Sequence, residues 1–145
     1  MKDTVKHETS VRALLFRLLL LLYICTVAYL CFANMKNLPH VPRSFFGIPT
    51  DKIVHFCMFF PFPIFGFLAC DDYSRSFLHT IGTVLNITSF GCIFAGLTEI
   101  IQGQIIYRSQ DIHDFAADCL AIGISASIVL IWRIISITRK KKKAK

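Results

Sequence analysis

The chain has 145 residues, 54% apolar and only 17% charged, against about a quarter charged in an ordinary soluble domain. So much apolar surface excludes a disordered chain, and six Cys without a Cys-x-x-Cys pair argue against a disulfide scaffold. Most of the net charge of +7 sits in Arg139, Lys140, Lys141, Lys142, Lys143 and Lys145, leaving a near-neutral body with a basic tail. Such a tail suits an anionic membrane surface. No base-stacking or groove-reading module accompanies it, so nucleic acid is not an expected partner.

The first apolar block covers residues 13–33, with Arg17 as its only charge. Its length matches a bilayer core and exceeds a signal-peptide h-region, so it reads as a retained span. Arg17 lies one turn inside and can reach the headgroups. A polar loop follows over 34–52, with Pro39, Pro42 and Pro49, and with Phe45 and Phe46 placed to touch the interface. The second block, 53–70, carries Pro61 and Pro63 near its middle. They deprive the carbonyls of Cys57 and Phe59 of helical partners, so a kink is expected, with neighbouring helices satisfying the freed groups. After a turn at 71–76, the third block runs over 77–101 with Asn86, Thr88, Ser89 and Glu99. A second polar loop, 102–114, leads to the fourth block, 115–137. No internal repeat is evident. The cysteines fall in or beside these blocks and read as small apolar packing residues.

Four spans put both termini on one side. That side carries 12 basic residues and the other carries four: Lys36, Arg43, Lys52 and Arg108. The positive-inside rule then places both termini in the cytoplasm and the 34–52 and 102–114 loops outside.

Ionisable residues gather at the outward face. Asp51, Lys52 and His55 open the second span, Glu99 and Gln102 close the third, Arg108 and Asp111 follow, and Asp114 and Asp118 open the fourth. Asp51 and His55 share a helix face if that helix starts before Asp51; Glu99 and Gln102 share one, as do Asp114 and Asp118. The Asp face continues through Ala117, Ala121 and Ser125, a small-residue stripe for close packing that turns the acidic edge into the bundle. An architectural reading pairs Glu99 with Arg108 or Lys52 and lets Asp114 and Asp118 anchor the fourth helix. The functional reading is preferred for the set, because charge in or beside a membrane is costly and marks a site.

The chemistry follows from residue type. Asp51, His55, Glu99 and Asp114 are the candidate catalytic residues. One carboxyl in a like-charge group can hold its proton and act as acid or base, and His55 can move protons with Asp51 orienting it. Lys52, Gln102, Arg108, Asp111 and Asp118 are the candidate ligand-binding residues, with Arg108 able to grip a phosphate or carboxylate bidentately. The set suits an anionic lipid headgroup or a lipid-linked envelope precursor. His55, Glu99, Asp111, His113, Asp114 and Asp118 offer oxygen and nitrogen ligands, but no His-x-x-x-His or His-Glu-x-x-His spacing occurs, so no metal and no cofactor is expected. Ser109 lacks a nucleophile-elbow signature and reads as a loop hydroxyl. His7, His40 and His79 read as surface or interface residues.

The order Asp51-Lys52-x-x-His55-Phe56 at the start of a span resembles the first signature of VanZ-like bacterial membrane proteins. Glu99-x-x-Gln102, then Arg108, Asp111 and Asp114 before the next span, resembles the second. The resemblance covers about residues 13–137. Departures are Tyr107 where the family often has Pro or Gly, Asp118 where it usually has Asn, and Ala121 where Gly is common. The resemblance implies a four-helix envelope protein of the family named for teicoplanin resistance, without fixing a reaction.

The expected architecture is an all-α, four-transmembrane-helix bundle with both termini cytoplasmic. It comprises a tail at 1–12, a VanZ-like membrane domain at 13–137 and a basic tail at 138–145. The expected location is the bacterial inner membrane. The expected function is modulation of teicoplanin susceptibility or handling of an anionic or lipid-linked envelope ligand. The alternatives are an enzyme acting on an anionic envelope lipid and an accessory subunit of a membrane complex. Partners are the bilayer, such a lipid or precursor, and a second copy or a membrane complex.

Overall fold

A computed structural model describes residues 2–34, 44–45, 47–70, 76–108 and 110–143. Lys36, Pro39, His40, Pro42, Arg43, Phe46, the 71–75 turn and Ser109 lie outside the described residues. So do residues 144–145 of the tail. The elements run α1 (Lys2–Phe32), β1 (Ser44–Phe45), β2 (Ile48–Pro49), α2 (Thr50–Phe59), α3 (Phe62–Ala69), α4 (Phe77–Gln102) and α5 (Ile112–Lys143). Four stretches are long and apolar enough to cross a bilayer: Val11–Phe32, Thr50–Ala69, Phe77–Gln102 and Ile112–Lys140. The molecule is an all-α bundle of four spans, the architecture of a multi-pass membrane protein. Its outer faces are apolar, with Leu14, Leu22, Leu85, Phe90, Ile93 and Ile128 exposed, as lipid contact requires.

Helix ends extend past the apolar blocks. α2 begins at Thr50, three residues before the second block, so Asp51 and His55 do share one helix face. α5 begins at Ile112, which puts Asp114 in its first turn, where the helix dipole favours an acid. Hydropathy marks only the lipid-immersed part of a helix and is blind to its polar first turns. The loop ahead of α2 holds a feature with no hydropathy signal, a minimal antiparallel hairpin pairing Ser44 with Pro49 and Phe45 with Ile48. Gly47 turns it with φ 81, a left-handed conformation that suits glycine.

The second span breaks where its prolines fall. α2 ends at Phe59 and α3 starts at Phe62, with Pro61 at the α3 N-cap. Pro63 lies in the first turn of α3, where a missing N–H costs nothing. The Tyr23 hydroxyl of α1 donates to the Met58 carbonyl at the break. A neighbouring helix thus reaches the break, at the Met58 carbonyl and not at those of Cys57 or Phe59, the two expected to be freed. Tyr23→Phe removes that donor inside the bilayer. We expect it to lower the unfolding midpoint in detergent, at a cost of about 1 kcal/mol, the usual worth of an interhelical hydrogen bond in a membrane. An unchanged midpoint would show that another group satisfies Met58.

Two apolar clusters fill the bundle. Val27, Cys31, Phe59, Ala95, Ala121 and Ile122 lie nearer the polar end. Phe62, Phe67, Val84, Ile87, Ala126 and Val129 fill the other half. Small residues set the approach of the helices. A Cβ added at Gly91 would meet Phe62 at 3.0 Å and Ile122 at 3.2 Å, closer than an ordinary contact. On α5, Asp114, Asp118, Ala121 and Ser125 are buried in a row and Ala117 is half-buried. The acidic edge therefore faces the bundle, as the spacing predicts.

Helix α1 is the outlier. Only 11% of its span is buried, against 33–39% for the others. Apolar contact alone holds it weakly, and polar bonds at several depths supplement it. Besides Tyr23, Arg17 Nε donates to the Ala69 carbonyl at the end of α3, 3.2 Å away. Further bonds lie at the polar end.

Candidate functional site

The structure brings the nine sequence-predicted residues to one end of the bundle. Asp51, Lys52 and His55 come from the start of α2, Glu99 and Gln102 from the end of α4, and Asp114 and Asp118 from the start of α5. Arg108 and Asp111 lie in the α4–α5 connection. They divide into two groups with different work.

The first group is an acidic nest. Lys52 Nζ bridges Asp111 Oδ2 at 2.7 Å and Asp114 Oδ1 at 2.9 Å. His55 Nδ1 lies 3.2 Å and 3.3 Å from the two carboxylate oxygens of Asp118, and both residues are buried. Glu99 takes neither partner expected for it. Its Oε1 accepts from the Asp111 backbone N–H at 2.5 Å, while Oε2 is buried without a hydrogen-bond partner. Asp51 is the exposed member of the nest. A carboxylate oxygen of Asp51, one of Asp114 and a ring nitrogen of His55 all lie within 4.8 Å of one another. Among the described residues, these are the atoms placed to share a cation. Glu99, Asp111 and Asp118 are not among them, and His113 is exposed, with its backbone N–H donating to Asp111 Oδ1.

The second group caps α1. The last carbonyls of a helix have no partner within it. Here side chains supply the donors. Arg108 Nη2 reaches Leu30 O at 3.1 Å and Ala33 O at 3.2 Å, Gln102 Nε2 reaches Cys31 O at 2.9 Å, and Tyr107 Oη reaches Phe32 O at 3.2 Å. The cationic Arg108 also meets the negative end of the helix dipole. Gln102 and Arg108 therefore have an architectural role that the sequence reading did not include. Tyr107 was missed altogether. It appears in the sequence only as a departure from the family pattern, and only the fold shows that its hydroxyl meets α1.

Between the two groups lies a small polar cavity of about 170 Å³, lined by Asp51, His55, Gln102, Tyr107, Arg108 and Asp114. Sites for drug-sized ligands run to about 300–1,000 Å³. This one fits an ion with its waters or a single phosphate-sized group, not a whole lipid. A larger cavity of about 710 Å³ opens among α1, α3 and α4, lined by Leu20, Ile24, Phe62, Phe90 and Phe94 with Arg17 at its edge. It shares no lining residue with the polar cavity, so its size does not make it the chemical site.

Asp111 lies just outside the span. The Lys52 ammonium beside it holds its carboxyl below the usual carboxylate range. A depressed carboxyl stabilises the folded form fully above its unfolded pKa of about 3.9, and that contribution is lost as pH falls through the folded value. The difference in unfolding midpoint between the wild type and Asp111→Asn should therefore be full at neutral pH and shrink in acid below about pH 4. A difference that persists unchanged in acid would show that the Lys52 contact does not act through charge.

Comparison with known protein families, with curated proteins and with solved structures finds no match to this chain.

Proposed function

We propose that the chain is a VanZ-like integral membrane protein of the bacterial inner membrane. In this reading both termini are cytoplasmic, and the polar cavity opens outward onto an anionic or lipid-linked envelope ligand. Its activity then alters susceptibility to glycopeptides such as teicoplanin. The observation that carries the reading is the convergence of Asp51, His55, Glu99, Asp114 and Asp118 from three helices at one end of the bundle. Placing so many ionisable groups in or beside a bilayer is costly, and structure alone does not need them. Lining lipid headgroups up with a cavity of about 170 Å³ accounts for its size, since a phosphate group enters and the acyl or prenyl chain stays in the bilayer.

The His55–Asp118 bond favours a second reading, an enzyme acting on an anionic envelope lipid. A carboxylate on Nδ1 fixes the imidazole tautomer and leaves Nε2 to take or give a proton. The same experiment addresses both readings. The wild type and the variants Glu99→Gln and Asp114→Asn are expressed in a teicoplanin-sensitive bacterium, and the inhibitory concentration is measured beside the membrane protein level. The expected result is a shift with the wild type that both variants abolish at equal protein level. No shift with the wild type would remove the teicoplanin reading. A shift that survives both variants would favour the accessory-subunit alternative, in which packing and not the carboxyls matters.

A further inference from the structure

We propose that Asp51, His55 and Asp114 hold a divalent first-row cation of the Mn²⁺ or Zn²⁺ kind, with Asp118 orienting His55 from behind. Three observations on different groups point there. The first is the pair of facing carboxyls. A carboxylate oxygen of Asp51 lies within 4.8 Å of one of Asp114. Two ionised carboxylates so placed repel, and a proton or a cation between them, beyond the Lys52 ammonium already on Asp114, relieves that repulsion. The second is His55, which is only 3% exposed. Its Nδ1 is taken by Asp118, and the ring lines the cavity beside both carboxyls. With Nδ1–H donated to Asp118, Nε2 carries the lone pair, the carboxylate–histidine–metal arrangement that metal sites use. The third is charge. Five carboxyl groups, Asp51, Glu99, Asp111, Asp114 and Asp118, meet two permanent cations, Lys52 and Arg108. Arg108 spends one end of its guanidinium on the α1 carbonyls.

The geometry has room for the ion. Donor atoms on one ion at about 2.1 Å lie about 3 to 4.2 Å apart. A ring nitrogen of His55 and one oxygen each of Asp51 and Asp114 lie within 4.8 Å of one another, so closure with Nε2 as the ligand takes side-chain shifts. Lys52 occupies Asp114 Oδ1 and leaves Oδ2 for the ion. One imidazole with two carboxylates is a mixed nitrogen–oxygen set, which suits Mn²⁺ or Zn²⁺ better than an all-oxygen Ca²⁺ cage. Three protein ligands leave positions for water or for an anionic oxygen. The cation site stands on this geometry alone. Its further role, drawing a phosphate into a cavity whose lining includes two carboxyls, Asp51 and Asp114, rests on the envelope-ligand reading.

The test uses the full chain in detergent micelles, with any affinity tag removed and stripped with a chelator. MnCl₂ is titrated in, and free Mn²⁺ is followed by electron paramagnetic resonance. The expected result is saturable binding of about one ion per chain that ZnCl₂ displaces. Asp51→Asn and His55→Gln should each weaken binding by tenfold or more, and Asp118→Asn by about tenfold through the orientation of His55. Asp51 is exposed, so its Asn variant keeps the fold and the test does not hinge on a damaged bundle. His79→Gln, an exposed histidine at the far end of α4, should bind as the wild type does. No saturable binding below about 1 mM overturns the proposal, as does binding that survives both Asp51→Asn and His55→Gln. In the second case the carboxyl pair holds a proton instead. Mn²⁺ binding without any teicoplanin shift keeps the cation site and removes the envelope reading. A teicoplanin shift without Mn²⁺ binding overturns the cation site alone.

Discussion

Arg108→Ala is expected to release the outer end of α1 from the bundle. The guanidinium bonds the Leu30 and Ala33 carbonyls, and a hydrogen bond to a charged donor is worth about 1.5–3 kcal/mol. Losing both costs about 3 kcal/mol, and α1 has little apolar burial to offset it. Gln102 and Tyr107 still bond Cys31 and Phe32, so the helix frays at its end and stays in the membrane. The readout is Cys31, which is 1% exposed and sits at that end. In a variant keeping only that cysteine, a maleimide should label Cys31 slowly in the wild type and many-fold faster with Arg108→Ala. Arg108→Lys should recover part of the protection, because a single nitrogen, Nη2, makes both bonds and an ammonium also carries several hydrogens. Unchanged labelling with Arg108→Ala would show that the capping bonds do not hold α1. The result also bears on function. A loss of activity on removing Arg108 does not by itself demonstrate anion binding, because the same side chain anchors a helix.

Ala121→Leu is expected to force α4 and α5 apart. Ala121 is fully buried in a cluster with Phe59, Ala95 and Ile122. Overpacking a tight core costs about 1–3 kcal/mol, through displaced rotamers and backbone shifts. Asp118 lies one turn earlier on α5, so the same shift pulls its carboxylate away from His55. Both the unfolding midpoint and the activity should fall. Ala117→Leu should cost far less, because Ala117 is only half-buried. An equal loss from the two substitutions would mean that the stripe packs against a partner chain, as the accessory-subunit alternative requires.

Much of the architecture was legible because a bilayer demands apolar runs of a fixed length. The four spans follow from hydropathy, the break in the second from Pro61 and Pro63, and the buried acidic edge of α5 from the four-residue spacing of Asp114 and Asp118. Tertiary choices were not legible. Lys52 has several acids within reach in sequence terms, and only the fold selects Asp111 and Asp114 over Glu99. The donors on Gln102, Tyr107 and Arg108 find α1 from about seventy residues away, and no local pattern encodes that distance. Of the proposed cation ligands, His55 and Asp114 stood among the oxygen and nitrogen candidates of the sequence, and Asp51 did not. Asp51 and His55 form half a site by helical spacing, but Asp114 arrives from another helix, so no sequence motif for a metal exists. The hairpin at 44–49 was missed because two-residue strands leave no period to read.

An outward-facing polar site is read most plainly from the sidedness of the loop beside it. A single cysteine replaces Ile106, which is fully exposed in the connection beside the site, in a chain without its native cysteines. Lys142→Cys, near the exposed end of α5, serves the opposite face. Intact cells are treated with a membrane-impermeant thiol reagent. Labelling is expected at 106 and not at 142. Labelling at 142 and none at 106 would contradict it, placing the Asp51–His55–Asp114 cluster in the cytoplasm and away from any envelope ligand.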